Sequence, residues 1–352
     1  MLKAPPPLPP VDRAAEEEYV ARYVKGFAAT ALAGLRVAFY QHSAVGRDLV
    51  PAILSALGAE VIPVGRSDEF VPVDTENVDD RQLEILQRFV AEAARSGPIA
   101  AIVSTDGDSD RPLVAAALAG GGVRFLPGDL LGLVVAEQLK AEVVAVPVSA
   151  NDAVELALRP RGVELHKTRI GSPYVVAALA EARDKGPARR IVGWEANGGF
   201  LVGSDVGALA ALPTRDAVLP IVINLAAARA ETIDLATLWS RLPPRFGRSG
   251  LIDAVPVEVS RAIVTRLGAD KGLIGELFTP QLGFGPVVKL DLVDGIRIHF
   301  HGGDVAHLRP SGNAPQLRIY ANADSPERAD EIVALALREP DGILRRAERL
   351  LS

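Results

Sequence analysis

From Leu35 onward, short apolar runs alternate with amphipathic stretches. Residues 35–40, 60–64 and 99–103 read as strands, and 47–57 and 80–94 as the helices between them. In the second helix Leu83, Leu86 and Val90 share one face. Apolar runs without polar alternation, separated by helices, argue for a parallel sheet buried on both faces. The order then recurs, with strands at 143–148, 163–167 and 191–194 and helices at 152–158 and 174–181. No residue-level repeat accompanies it. Both blocks still run strand, helix, strand, helix, strand, and then enter a loop that carries carboxylates. Ligands of open α/β sheets sit at the carboxyl ends of strands, where both loops fall.

After Pro243-Pro244 the texture changes. Residues 289–292, 295–300 and 316–320 read as antiparallel strands, followed by a helix over 326–337. The expected fold class is therefore α/β, with two successive mixed α/β sheet domains of similar pattern and then a smaller α+β domain. The boundaries fall at 34–135, 136–247 and 248–352. Ahead of them, 5–10 reads as a polyproline linker. A helix follows over 12–26, with Asp12 as N-cap and Glu16, Glu17 and Glu18 near the positive end of its dipole.

Composition narrows the function classes. The 352 residues are 49% hydrophobic and carry a formal net charge of -6, which gives no general attraction to nucleic acid or an anionic membrane. Basic residues that hold an anion must therefore be concentrated locally. There is no cysteine, hence no disulfide framework and no thiolate metal site, and a cytoplasmic location is expected. Residues 1–12 lack the apolar core of a signal peptide. No run reaches the roughly 18 uninterrupted apolar residues of a membrane span.

Three segments concentrate the chemistry. In Ser104-Thr105-Asp106-Gly107-Asp108-Ser109-Asp110-Arg111-Pro112, three carboxylates alternate, so an extended loop can turn Asp106, Asp108 and Asp110 to one side. A hard cation such as Mg²⁺ takes oxygen ligands of this kind and keeps positions open for phosphate. A calcium EF-hand also starts this way. It fails here, because Arg111 stands where its glycine belongs and Ala117 where its bidentate glutamate belongs. A solvated acidic turn is the bland alternative, but three uncompensated carboxylates at a buried strand's end repel one another. In Trp194-Glu195-Ala196-Asn197-Gly198-Gly199-Phe200, Glu195 can accept from vicinal sugar hydroxyls and Asn197 can both donate and accept. A glycine-rich turn with an incidental glutamate is the alternative. In Arg309-Pro310-Ser311-Gly312-Asn313-Ala314-Pro315, with Arg318 following, arginine forks and a nest of N–H groups around Gly312 suit a phosphate dianion. A plain turn between strands is the competing reading.

Other features carry less. His299, His301 and His307 could bind zinc, yet no fourth ligand accompanies them, and a polar sheet face is expected. Gln41-His42-Ser43 juxtaposes a histidine and a serine; a capping turn before the helix at 47 is the favoured reading. Gly120-Gly121-Gly122 reads as a hairpin turn.

In their order, the three segments resemble the α-D-phosphohexomutase family (phosphomannomutase, phosphoglucomutase), over nearly the whole chain from about residue 15, as that family's domains two to four. Asp-Gly-Asp-Ser-Asp-Arg matches the family's metal loop. Against Gly-Glu-x-Ser-Gly-His, Glu195 and Gly198 match, Asn197 replaces the serine and Gly199 the histidine. Against Arg-Pro-Ser-Gly-Thr-Glu-Pro, Asn313 and Ala314 depart. The resemblance implies Mg²⁺ on Asp106, Asp108 and Asp110, and substrate contacts from Arg111, Lys167, Glu195 and Asn197. It implies a phosphate cradle of Arg309, Ser311, Gly312, Asn313 and Arg318. For Lys167, a solvated surface lysine is the alternative. The implied partner is a hexose phosphate, mannose or glucose 1- or 6-phosphate; the departures at Asn197 and Gly199 leave the preferred sugar open. In the family a phosphoserine on domain one carries the phosphoryl group, and no segment here resembles its Thr-Ala-Ser-His-Asn loop. Residues 1–33 then read as the linker and helix leaving such a domain. Two readings stand: a phosphohexomutase, or a sugar-phosphate-binding protein of that descent without mutase chemistry.

Overall fold

A computed structural model describes residues 10, 12–76, 78–186, 188–312 and 314–350. The polyproline reading at 5–10 lies outside them, Pro10 apart. The N-cap of the first helix, α1 (Ala14–Gly26), is Arg13 and not the expected Asp12, although Asp12 Oδ1 accepts from the Ala14 N–H at 2.9 Å. The chain then builds β1 (Arg36–His42), α2 (Leu49–Ala56), β2 (Glu60–Arg66), α3 (Asp80–Ala93), β3 (Ala101–Thr105), β4 (Pro112–Ala117) and β5 (Val123–Phe125). These strands form one sheet in the order β2-β1-β3-β4-β5. β1 runs parallel to β2 and β3, while β3–β4 and β4–β5 are antiparallel.

The second unit repeats this plan. It comprises α4 (Gly128–Gln138), β6 (Val143–Pro147), α5 (Ala153–Leu158), β7 (Glu164–Thr168), α6 (Ser172–Lys185), β8 (Ile191–Trp194), β9 (Phe200–Val202), β10 (Leu212–Asp216), α7 (Val218–Ala230) and α8 (Leu235–Trp239). Its sheet runs β7-β6-β8-β9-β10, parallel about β6 and antiparallel beyond β8. A parallel sheet is thus correct for three strands of each unit only. The last two return through tight connections that permit antiparallel pairing alone. One of them is the expected glycine turn: Leu118 N–H donates to Gly122 O at 3.1 Å, with Gly121 and Gly122 at positive φ.

The third unit is an antiparallel sheet, order β11-β15-β14-β13-β12. Its elements are β11 (Phe246–Asp253), α9 (Val257–Ala269), α10 (Lys271–Leu277), β12 (Val287–Asp291), β13 (Ile296–Phe300), β14 (Val305–Pro310), β15 (Gln316–Ala323), α11 (Pro326–Leu337) and α12 (Ile343–Arg349).

The first two units share one apolar core. Ile53 and Leu54 of α2, Leu131 and Val135 of α4, and Ile221 and Leu225 of α7 pack with Phe39 of β1 and Val146 of β6. The third unit has a core of its own around Phe278, Phe284 and Phe300. Arg245 fastens it to the second. Its guanidinium donates to Asp152 Oδ1 and Oδ2 at 2.9 and 2.8 Å, to Asp324, and to Gly303 O. Among the described residues no helix is long and apolar enough to cross a membrane.

Candidate functional site

β3 and β8 occupy equivalent places in the two related sheets, and each ends in a carboxylate loop. After β3 the chain turns tightly. Asp106 N–H donates to Arg111 O, and Asp106 Oδ1 accepts from the Asp110 and Arg111 N–H groups at 3.2 and 3.1 Å. The α2 approach braces this loop, with Val45 N–H donating to Gly107 O and Gly46 N–H to Ser109 Oγ. That bracing explains why α2 starts at Leu49 instead of residue 47. One carboxylate oxygen each from Asp106, Asp108 and Asp110 lies within 4.8 Å of the others, so the three can converge on one ion. Burial and the neighbouring Asp108 carboxyl push Asp106 up to about 6. Burial also raises Asp110, against the opposing pull of Arg215. The Asp110 Oδ1 atom is buried without a hydrogen-bond partner among the described residues. An all-oxygen, partly orphaned donor set of this kind fits a hard divalent cation. Arg111 Nε stands 3.5 Å from Asp106 and 3.6 Å from Asp110.

After β8, Glu195 and Asn197 are both buried. Asn197 Oδ1 accepts from the Gly199 N–H at 3.0 Å, so its oxygen fixes the loop and its amide NH₂ is what it offers a ligand. Glu195 Oε2 is buried and makes no hydrogen bond among the described residues. The loop is seated by α4: a Cβ on Gly128 would stand 2.2 Å from Gly198 N, and Trp194 Nε1 donates to Asp129 O at 3.0 Å. Arg215, at the end of β10, connects this loop to the Asp106–Asp110 loop, 2.5 Å from Asp110 Oδ2 and 3.7 Å from Glu195 Oε2. The sequence reading gave Arg215 no role.

The third segment closes β14. Arg309 and Arg318 are direct cross-strand partners on β14 and β15, an arrangement in which like charges repel. Arg309 Nε donates to Asp294 Oδ2 at 3.1 Å, and that same oxygen accepts from the Ile170 N–H at 3.0 Å. Among the described residues, Arg318 Nε and Ser311 Oγ are buried without hydrogen-bond partners. Gly312 is exposed, and a Cβ there would meet nothing within 4 Å. Asn313 lies outside the described residues. The Lys167 ammonium is also buried and has no hydrogen-bond partner among the described residues, which is not the state of a solvated surface lysine; burial, then Arg297, brings it down to about 8. Through Asp294 the third segment is thus tied to the basic stretch at 167–170. No ion pair or hydrogen bond among the described residues joins it to the first two.

His42 and Ser43 do not form a pair. The His42 ring meets Thr105 O at 2.9 Å, while Ser43 Oγ accepts from the Val71 N–H. The expected capping turn is also not found: Ser43 caps no helix, because the turn at 44–48 intervenes before α2. His307 is buried against Asp294 O and burial lowers it to about 4, whereas His301 is exposed. Asp129 was not singled out by sequence. It is buried at the start of α4, accepts from the Asn151 N–H at 2.7 Å, and is pushed up to about 6 by burial.

Comparison with known proteins agrees with the order of these loops. Residues 17–120 match the family model for phosphoglucomutase/phosphomannomutase alpha/beta/alpha domain II, 127–246 that for domain III, and 262–338 that for the C-terminal domain. A phosphomannomutase of Sinorhizobium fredii is 42% identical over 329 residues, covering 92% of this chain and 66% of the relative. One of Salmonella muenchen is 41% identical, covering 92% and 65%. Among solved structures, a phosphoglucomutase/phosphomannomutase family protein of Burkholderia thailandensis superposes with a TM-score of 0.68 at 18% identity, over 96% of this chain and 64% of that one. The N-acetylphosphoglucosamine mutase of Aspergillus fumigatus, in complex with GlcNAc-6P and magnesium, gives 0.60 at 15%, over 97% and 66%. The chain thus spans just under two thirds of the length of these phosphomannomutases. With three consecutive domain models matched in order and about two fifths of residues shared along nearly its whole length, the chain belongs to the phosphoglucomutase/phosphomannomutase family, the α-D-phosphohexomutases.

Proposed function

We propose that these loops bind a hexose phosphate, mannose or glucose 1- or 6-phosphate, for Mg²⁺-dependent phosphoryl transfer between its 1 and 6 positions. The observation that carries this reading is the sorting of charge. Three carboxylates face together at the end of β3, while Arg309, Arg318, Ser311 and Lys167 gather cationic and orphaned donors around the end of β14. Asp106, Asp108 and Asp110 would hold the cation, which when bound neutralises the transferring phosphoryl group. Glu195 and Asn197 accept from and donate to sugar hydroxyls. Arg309, Ser311, Gly312, Asn313 and Arg318, with Lys167, hold the phosphate that is not reacting, and Arg111 approaches the substrate from the metal loop. Phosphoryl transfer depends mostly on such positioning and charge stabilisation.

A second reading, binding without turnover, is favoured for residues 1–352 on their own by one observation. The Ser-His-Asn loop that would carry the phosphoryl group covalently occurs nowhere in the sequence. Calorimetry with mannose 6-phosphate in Mg²⁺ tests the shared part of both readings. Saturable binding, weakened by Arg309→Ala and made Mg²⁺-independent by Asp108→Ala, is expected; absence of binding overturns both. A coupled assay then separates them, with no turnover expected from residues 1–352 alone.

A further inference from the structure

Arg215 stands between two loops that carry opposite tasks. Its guanidinium is 2.5 Å from Asp110 Oδ2 and 3.7 Å from Glu195 Oε2, and among the described residues it makes no other ion pair or hydrogen bond. A guanidinium has five N–H donors, so most of them are free to meet a ligand. Each carboxylate it approaches also keeps one buried oxygen without a hydrogen bond among the described residues, Asp110 Oδ1 and Glu195 Oε2. The backbone beneath is held firmly, because the next residue, Asp216, is 2% exposed and accepts from Tyr19, Tyr23 and the Val218 N–H. Gly199 makes room for the side chain. A Cβ there would stand 2.8, 2.9 and 3.2 Å from Arg215 Cδ, Cγ and Cβ, so the arginine stem would have to shift to admit it. Arg215 therefore occupies the volume that any larger residue at position 199 would claim.

We propose that Arg215, reaching in from β10, donates to phosphoryl oxygens of a sugar phosphate lying between the Asp106–Asp110 loop and Glu195. The inference rests on the sugar-phosphate reading above and assigns a further positioning residue within it. Without a ligand, Arg215 neutralises Asp110 and holds the two loops together. A divalent cation on the aspartates competes for Asp110 and repels the guanidinium. A phosphate placed between cation and guanidinium removes that repulsion and takes up the N–H groups that Asp110 gives back. Arg215 consequently opposes binding of the cation alone and favours binding of cation and phosphate together, a coupling that must act in both directions.

Calorimetric titrations of the 352-residue chain test this, with Mn²⁺ alone and with glucose 1,6-bisphosphate in saturating Mn²⁺. Arg215→Ala is expected to bind Mn²⁺ several-fold tighter and the bisphosphate about tenfold or more weaker, the loss of a charge-assisted hydrogen bond. Arg215→Lys should keep wild-type Mn²⁺ affinity and lose part of the bisphosphate affinity, because an ammonium keeps the charge without the fork. Gly199→Ala, which displaces the arginine, should move both affinities in the same directions as Arg215→Ala. If the two affinities fall together, or the bisphosphate affinity is unchanged in Arg215→Ala and Arg215→Lys, the inference is wrong and the sugar-phosphate reading survives. A wild-type chain that binds Mn²⁺ but no bisphosphate overturns both.

Discussion

Tyr23 on α1 donates its phenolic hydrogen to Asp216 Oδ2 at 2.5 Å, across 193 residues of sequence. Tyr19, one turn earlier, donates to Asp216 Oδ1 at 2.8 Å, and that oxygen also accepts the Val218 and Leu219 N–H groups that open α7. A single buried carboxylate thus fastens α1 to the second sheet and caps the helix that fills the shared core. Arg215, which bridges the Asp110 and Glu195 loops, is its immediate neighbour.

This clamp has a pH signature. Burial, then the Asp216 charge, raises both tyrosines above their ordinary value. The folded protein therefore keeps protons that the unfolded chain releases near about pH 10. Their contribution is complete below that pH and is lost as pH rises above it. Tyr23→Phe should cost about 1.5–3 kcal/mol at neutral pH, the worth of a hydrogen bond to a charged partner. The Tyr19→Phe, Tyr23→Phe double variant should lose stability less steeply above pH 10 than wild type. Parallel alkaline limbs in chemical denaturation would remove the clamp from the account.

The aspartate loop should bind Mg²⁺ or Mn²⁺ and discriminate against Ca²⁺, because the tight 106–111 turn fixes a small oxygen set. Asp108→Ala leaves the turn's backbone bonds intact, since they run through Asp106. The folded state should therefore be unchanged while Mn²⁺ affinity, read by calorimetry, falls by an order of magnitude or more. Equal affinity in the variant would place the ion elsewhere.

The two anion- and hydroxyl-binding loops should separate on substitution. Arg309→Ala removes one of two cross-strand cations and should weaken mannose 6-phosphate about tenfold or more, the equivalent of about 1.5–3 kcal/mol. Glu195→Gln keeps the shape of its loop but weakens hydroxyl acceptance, so it should lower mannose 6-phosphate affinity and spare inorganic phosphate. A loss of both ligands in Glu195→Gln would mean that the loop itself carries the phosphate.

What could be read from the sequence follows from how local the signal is. The helices α3 and α11 and the strand β8 have a clear period or an uninterrupted apolar run, and they fall within a residue of expectation. The helices α4 and α7 were not read, because they are buried nearly all round and Leu130 to Ala136 has no polar face to set a period. β11 was missed for the opposite reason: it is an edge strand interrupted by Gly247 and Gly250, with one buried residue among its eight. The carboxylates and arginines that cluster in contiguous segments were legible. Thr214-Arg215-Asp216 could be set near the cleft but given no role, because the place of Arg215 beside Asp110 exists only once β10 pairs with β9. Asp129 was likewise hidden, since nothing in Gly128-Asp129-Leu130 announces a buried carboxylate.

Lys167 joins stability and binding in one residue. Its ammonium is buried without a hydrogen bond, and burial brings it down to about 8. The unfolded chain titrates near about 10.4, so between roughly pH 8 and 10.4 the unfolded state binds the extra proton and stability rises with pH. At neutral pH the charged lysine therefore costs stability. Lys167→Met should raise it by about 1–3 kcal/mol at pH 7, a gain that fades towards pH 10. The same variant should bind mannose 6-phosphate more weakly. In wild type a bound anion favours the protonated lysine, so affinity should decline as pH rises through 8, and Lys167→Met should be flat from pH 7 to 9. Thermal unfolding and calorimetry across that window give both readouts. A variant that is stabilised yet binds normally, with the wild-type pH slope, would make Lys167 a buried structural cation and remove it from the phosphate site.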